Sequence, residues 1–599
     1  MLALNQPSTS VPAVRTTSRR LRVGAIVDSL DVPVWVAHFL EQVDSSNCLE
    51  LTLLVCIGEK LHPWAWKDLG HAHGSLLFRA WTWIDYRLFK TRTREPNALE
   101  IVRFTSKHGT PQVLRSSHQG SSLGACDLGA IRAAHTDVLL DFTGTAPPEV
   151  RNCARYGLWS LERGGTVIPS LLHDMCDGRS ELEVILDLKQ NGTDESLGSL
   201  RFPTDFLSLF RNYNRYCWDQ AKAMARTLRG LQLCGWGYVK EQLRTCQRRN
   251  CELPGNGATA FLLLRCLSSG SRIALDRGFR REDWFIAYRQ SCPVLVPETA
   301  PSTFVVVRAP RDRFYADPFV VEKDGRTFIF FEDYSFSEGK GAISVIEIDA
   351  VGNPGKPEPV LEASYHLSYP CVFEWDGEMY MVPETKDNRT IELYRSDNFP
   401  RGWRRERVLM RGVSTVDSTI LRYQGKFWLF TSGLNESKRL FRGDNELFLL
   451  FSETPFGPWV PHPKNPVVSG VRRARPAGQL FFEGGQLIRP SQDCLGLPGR
   501  GVCLNRVDLL SESDYAETPI ATVASNWFTR NIGTHTFNQS SRYQVIDGRT
   551  LASRFIKRFS RRRAHTVHTK SAVPLIVLNS PLSAYAPDPE GDNGISRSV

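Results

Sequence analysis

Two textures of hydrophobic and polar residues divide the chain. Up to about residue 150, apolar runs such as LRVGAIV at 21–27, LELTLLVCIG at 49–58 and TDVLLDFTG at 136–144 alternate with helical stretches, the first running through Phe39 and Leu40. Unbroken apolar runs of this length suit strands covered on both faces, and helices between them predict an α/β domain with a mostly parallel sheet. Ligands of such sheets sit beyond the strand C-termini, here near Asp28 and Asp141. Residues 205–250 read as helical, most clearly in RNYNRYCWDQAKAMARTLRGLQLC, whereas 251–300 break into Gly- and Pro-containing loops that read as a connection.

From about 300 onward the runs become short and β-like, punctuated by turns such as Lys323-Asp324-Gly325, Trp375-Asp376-Gly377 and Tyr423-Gln424-Gly425. Five segments share one pattern: a polar or small residue, an apolar strand, a tight turn and a second strand. With Asp317, Tyr369, Asp417, Ala477 and His535 as equivalent points, the spacings are 52, 48, 60 and 58 residues. A period near fifty with several strands per unit predicts a β-propeller, and five units predict five blades. The start of each innermost strand faces the shared central funnel, so Asp317, Tyr369, Asp417 and His535 are expected to converge. Carboxylates and aromatics together suit a sugar, whose hydroxyls need acceptors and whose ring faces need stacking partners.

The domain reading is therefore a flexible N-terminal tail at 1–20, an α/β domain at 21–250, a connecting segment at 251–300, a five-bladed propeller at 301–550 and a basic, flexible tail at 551–599. Charge sharpens it. The formal net charge is +10, but 549–570 hold eight Lys or Arg without an acid, and 1–22 hold four. The body is close to neutral, which argues against a nucleic-acid partner. In the tail, Leu551, Phe555 and Phe559 recur at helical spacing among Arg554, Lys557, Arg558 and Arg561–Arg563. Residues 551–563 could form a cationic amphipathic helix on an anionic membrane surface, or remain a solvated basic tail. The fourteen cysteines show no CxxC and no Cys/His ligand spacing, so no metal site is expected. Cys494 and Cys503 flank a Gly/Pro-rich loop and could pair. The N-terminus has no apolar signal core and no eighteen apolar residues run together, so the expected location is cytoplasmic, with peripheral contact at the inner membrane.

Several long motifs carry a family likeness: YADPFVV (315–321), HLSYPCVFE (366–374), MVPET (381–385), VDSTIL (416–421), W-x2-H-P-x-N-P (459–466), ARPAGQLF (474–481), LIRPSQD (487–493) and GTHTFN (533–538). Residues 300–550 resemble the propeller at the N-terminus of plant glucosamine inositolphosphorylceramide transferases, and more broadly the glycoside hydrolase family 43 superfamily. Residues 21–230 resemble, more weakly, formyltransferase domains of the methionyl-tRNA and sugar type, through VGAIVDSLDVPVW, LLDFTG, RYGLWSLERGG (155–165) and RFPTDFLSLFRNYN. Active formyltransferases supply an Asn, a His and an Asp in the corresponding region. Here Leu161-Glu162 follow Trp159-Ser160, with no His.

The family 43 resemblance implies that Asp317 is a general base and that Asp417 orients the sugar and tunes an acid. Two carboxyl groups facing one sugar are what glycosidic chemistry requires. Each has a plainer reading, Asp317 as a strand-entry turn residue and Asp417 as a backbone acceptor. No carboxylate stands at the equivalent points Tyr369 and Ala477-Gly478, which leaves Glu332 in FFEDY and Glu384 in VPET as candidate acids or structural carboxylates. Arg475 and Arg489 could clamp a phosphate or carboxylate, or bridge blades. Tyr369 and His535 could meet the sugar, and His535 could instead close the propeller. The expected activity is glycosyl or related group transfer in surface-polysaccharide or glycolipid biosynthesis, on a sugar or glycolipid substrate and with an unknown cofactor. A family 43-like glycoside hydrolase, a non-catalytic carbohydrate-binding scaffold and a sugar N-formyltransferase are the alternatives.

Overall fold

The computed structural model describes residues 19–553, with breaks chiefly at 59–74, 116–122, 245–250, 295–302 and 434–445, and two further strands, His565–Lys570 and Ile576–Leu578. In the N-terminal region five strands run parallel, in the order Gln112–Arg115, Leu49–Cys56, Leu21–Val27, Val138–Asp141, Leu158–Leu161. Glu181–Gln190, Thr193–Pro203 and Leu243–Arg244 extend the sheet antiparallel. Successive side chains explain the unbroken apolar runs. Val138 and Leu140 enter one core with Trp35, Phe39 and Trp218, while Leu139 enters the opposite core with Ile26, Leu53 and Ile131. Both faces are thus covered, by helices Val34–Asp44 and Leu209–Lys240 on one side and Ala125–Ala133 on the other.

Strand order reverses between Leu21–Val27 and Val138–Asp141, so the sheet edge expected to take ligands lies beside Asp141. Asp141 is committed to its own turn: Oδ1 accepts from Thr143 N and Oγ1 and from Gly144 N at 2.6–2.9 Å, and Oδ2 from Ala146 N and Ser160 Oγ at 3.3 Å. Its role is that of a buried acceptor capping the strand end.

Residues 251–300 differ from the loop reading. They contain helix Asn256–Phe279, which continues directly into strand Arg280–Gln290. Gly257, Gly270 and Gly278 misled the sequence reading, because glycine lowers helix propensity without forbidding a helix that packs against neighbours. Among the described residues, no helix is long and apolar enough to cross a membrane.

The C-terminal region is a five-bladed propeller. Blades 1 to 3 begin at strands Arg313–Lys323, Ser368–Trp375 and Val416–Tyr423, and blade 4 at Phe481–Glu483. Blade 5 joins both ends of the region: Phe537–Gln539 pairs with Tyr543–Ser553, which pairs with Arg280–Gln290, followed by Thr303–Arg308 and His565–Lys570. The long ladder from Arg280↔Ser553 to Gln290↔Tyr543 therefore closes the ring with main-chain hydrogen bonds. Leu551, proposed from sequence to open an amphipathic helix, lies in strand Tyr543–Ser553. The rest of that segment, 554–563, is outside the described residues.

The turns read from sequence form as the hairpin rule requires. Asp324 and Gly325, Asp376 and Gly377, and Gln424 and Gly425 all have positive φ, the type I′ pattern that matches strand twist. A second repeat is steric. Asp317, Tyr369 and Asp417 have φ of 52°, 47° and 52°, each at a register shift in its innermost strand. A bulge there turns one side chain out of the pleat.

In blade 4 the corresponding break falls at Gly478, with φ 139°, one residue beyond the Ala477 chosen from sequence. A Cβ at Gly478 would drive into the Phe537 carbonyl and the Asn538 amide. This position therefore leaves no room for a side chain. Gly478→Ala is expected to cost about 3 kcal/mol or more, from φ strain plus the clash. A calorimetric scan should show the propeller transition at lower temperature, and an unchanged melting profile would refute the assigned close approach.

Candidate functional site in the propeller funnel

The three bulges aim Asp317, Tyr369 and Asp417 inward from different blades, but only the two aspartates meet polar funnel groups. Asp317 belongs to a bridge across the ring closure. His535 Nε2 lies 3.1 Å from Asp317 Oδ1, and His535 Nδ1 lies 2.6 Å from Asp547 Oδ2. Thr536 Oγ1 donates to Asp317 Oδ1 at 2.8 Å, and the Asp547 carboxylate accepts from the backbone N–H groups of His535, Thr536 and Asp317 at 2.8–3.3 Å. Trp284 packs on the imidazole with ring centroids 4.2 Å apart, and the Arg549 guanidinium lies 5.2 Å from the indole centroid.

Charge settles the protonation of this bridge. Burial alone would lower the His535 pKa, but Asp547 and Asp317 outweigh it and raise it well above the ordinary imidazole value. Burial alone would raise Asp317, and the imidazolium with its hydrogen bonds lowers it below the usual range. The arrangement is a carboxylate–imidazolium–carboxylate sandwich. Asp317, His535 and Asp547 also form the group of ligand atoms, all within 4.8 Å, that could gather around a metal ion.

The second cluster is built on blade 3. Asp417 Oδ2 accepts from Arg475 Nε and, at 2.9 Å, from Gln492 Nε2. Glu384 Oε2 accepts from the Asp417 backbone N–H at 3.2 Å. Burial first, then the neighbouring Asp417 charge, pushes the Glu384 carboxyl up to about 8. Glu332 is raised well above its ordinary range by burial and by Asp317. His366 accepts from Gly341 N–H at Nδ1, 2.9 Å, which leaves its Nε2–H directed at Glu332 Oε1, 3.6 Å away. Burial and mutual repulsion thus push the carboxyl groups of Glu332 and Glu384 up while the imidazolium holds Asp317 down. Among the described residues, no hydrogen bond is donated to Asp317 Oδ2, Asp417 Oδ1 or Glu384 Oε1. Environments that push carboxyl pKa values apart separate acid from base roles.

Two of the residues expected to bind substrate are structural. Tyr369 is fully buried: its hydroxyl accepts from Gly478 N–H at 2.6 Å and shares a hydrogen bond with Thr419 Oγ1 at 2.8 Å, and its ring meets Phe319 edge-on. It pins blades 2, 3 and 4 together. Arg489 is equally buried in a two-pronged pair with Glu517 at 2.7 and 2.8 Å, and it also donates to the Arg473 carbonyl. Arg475 and His535 remain at the funnel. No disulfide joins Cys494 and Cys503.

Asp547, Gln492, His366 and Trp284 were not singled out by sequence. Asp547 sits in a VIDG stretch that reads as a turn and Trp284 in the supposed connection, so neither carried a strand-start signal.

With this geometry in view, comparison with known proteins is informative. Residues 284–557 match the family model described as glucosamine inositolphosphorylceramide transferase 1, N-terminal. The glucosamine inositolphosphorylceramide transferase 1 of Oryza sativa subsp. indica is 35% identical over 243 residues, covering 40% of this chain and 32% of that protein. The Arabidopsis thaliana protein of the same name is 33% identical over 234 residues, covering 38% and 30%. The chain thus spans about a third of the length of these transferases, and the α/β region lies outside the matched segment. Among solved structures, a thermostable family-43 glycoside hydrolase aligns at 11% identity and a TM-score of 0.28, over 39% of this chain and 93% of that one. The α-L-arabinanase of Cellvibrio cellulosa aligns at 13% identity and 0.27, over 39% and 94%.

The shifted Glu384 has a measurable consequence. In the unfolded chain its carboxyl has the ordinary value of 4.5, and in the folded propeller it is pushed up to about 8. The folded state therefore holds the extra proton across this window, and the contribution of Glu384 to stability falls as pH rises through it. Glu384→Gln, which imitates the protonated acid, is expected to gain melting temperature relative to wild type between about pH 5 and about pH 8 and to level off above. Parallel melting curves for the two proteins would show that Glu384 is not held protonated.

Proposed function

We propose that this chain is a carbohydrate-active protein of glycolipid or surface-polysaccharide assembly, whose propeller funnel binds a sugar and takes part in glycosyl or related group transfer. The observation that carries this reading is the convergence of an ionised Asp317 and a protonated Glu384 around Arg475 and the His535 imidazolium. The names of the matched plant relatives, glucosamine inositolphosphorylceramide transferases, favour transfer to a glycolipid. Because the chain spans a third of their length, their full activity is extended here only as a proposal.

In the proposed step, an acceptor hydroxyl gives its proton to Asp317 Oδ2 as its oxygen bonds to the sugar carbon. The bond from that carbon to the departing oxygen breaks, and Glu384 protonates the oxygen as it leaves. Asp417, fixed by Arg475 and Gln492, offers its other oxygen to sugar hydroxyls. Glu332 is the alternative proton donor, oriented by His366. The proposed setting is the cytoplasm or the inner-membrane surface.

Glycoside hydrolysis is the second reading, favoured by the same carboxyl pair with water in the acceptor's place. Ligand-induced thermal stabilisation distinguishes the cases, with nucleotide sugars, simple glycosides, inositol phosphates and folates as probes. A nucleotide sugar or glycoside is expected to raise the melting temperature, and Asp317→Asn to weaken that binding at least about tenfold, or about 1.4 kcal/mol. Release of free sugar without an acceptor would identify a hydrolase. Binding without turnover would identify a recognition module, and stabilisation by folate alone would move the activity to the α/β domain.

A further inference from the structure

Two helices beside the join between the α/β sheet and the propeller carry an apolar face open to solvent. Helix Leu76–Phe89 exposes Leu76 at 78%, Trp83 at 56% and Leu88 at 50%. Helix Asn256–Phe279 exposes Phe261 at 57%, Leu264 at 67% and Leu275 at 57%. At 3.6 residues per turn, Phe261, Leu264 and Leu275 fall on one stripe, with Leu267 at its margin. The two helices start together: Ser75 Oγ donates to the Pro254 carbonyl at 3.4 Å, and Asn256 Oδ1 accepts from Leu77 N–H at 3.3 Å. Adjacent elements with this much large apolar surface mark an interaction site.

The charge around the face selects the partner. Residues 75–92 contain Arg79, Arg87, Lys90 and Arg92 and one acid, Asp85, which is buried and accepts from Phe210 N–H at 2.7 Å. Arg87 lies 5.1 Å over the Trp83 ring. In the second helix Arg265 turns inward and donates to the Cys176 carbonyl, so the basic margin of the face comes from the first helix. Apolar and indole side chains on a helix that also carries arginines and a lysine are the composition of helices that lie in a lipid headgroup layer. A second copy docking symmetrically would set this basic surface against itself.

Topology places the face near the funnel opening. The second helix runs directly into strand Arg280–Gln290, in which Arg280 pairs with Ser553 and Trp284 with Arg549. Arg549 bridges Gly533, just before the funnel residue His535, and Trp284 packs at a tilt on His535. The helix therefore ends on the rim from which the innermost strands begin.

We propose that this two-helix face docks the protein on an anionic lipid bilayer, holding the funnel opening beside the membrane. The further point, that a membrane-anchored sugar then reaches the funnel while its lipid stays in the bilayer, rests on the proposed function above. The docking itself is tested with sugar-free vesicles. Full-length protein should co-sediment with phosphatidylglycerol/phosphatidylcholine vesicles, bind phosphatidylcholine vesicles far less, and release as salt rises from about 0.1 M to about 0.5 M. Trp83→Ser combined with Leu264→Ser should weaken vesicle binding about tenfold or more without changing the melting temperature or funnel ligand binding. Should that variant fold poorly, hydrogen exchange on the wild-type protein gives the same answer, with anionic vesicles protecting 76–89 and 256–279. The proposal is overturned by absence of binding at low salt, by binding that ignores headgroup charge or the substitutions, or by a vesicle-free dimer that the same substitutions dissolve. Asp317→Asn should leave vesicle binding intact, so the docking face and the sugar site can fail separately.

Discussion

The ring closes around one imidazolium. His535 stands between Asp547 of its own blade and Asp317 of blade 1, the two blades where the ends of the propeller meet. Desolvating three charged groups is expensive, and mutual attraction offsets the cost only with tight geometry and satisfied lone pairs. Here backbone N–H groups and Thr536 satisfy most of the remaining acceptors. The same seam carries Asn538 Nδ2 donating to the Pro318 carbonyl at 2.7 Å, and the Glu322 carboxylate accepting from Ser541 and Arg542. The bridge that closes the ring is also one wall of the funnel.

The repeated bulge is the second constraint. Holding an Asp or Tyr at positive φ costs on the order of 1 kcal/mol or more at each position, and the surrounding blade junctions sustain it. What differs among blades is what the bulge presents. In blades 1 and 3 it delivers a carboxylate to the funnel; in blade 2 it delivers Tyr369, whose hydroxyl ties blades together; in blade 4 it is Gly478, pressed against blade 5. One scaffold device therefore yields two funnel carboxylates and two contacts between blades.

The α/β region supplies helices rather than funnel residues. Its sheet meets the propeller through an ion pair, Arg472 Nε to Glu181 Oε1 at 2.9 Å, and through the helix that becomes a strand of blade 5. Blade 5 cannot be completed without that strand, which makes the propeller's closure depend on chain that precedes its repeats.

Sequence by itself determined the two textures, the parallel sheet, the five-unit period, the type I′ turns and the inward positions of Asp317, Asp417 and His535. Each is a local or periodic signal: strand length, side-chain alternation, or a turn residue at fixed offset. Tertiary structure alone decided which inward residues stay available. Tyr369 and Arg489 are held by partners distant in sequence, the Gly478 N–H and the Glu517 carboxylate. Asp547, Trp284 and His366 gained places at the site through packing across blades. Protonation belongs to the same class: a glutamate at 384 holds its proton only because folding buries it beside Asp417, and no spacing along the chain encodes that proximity.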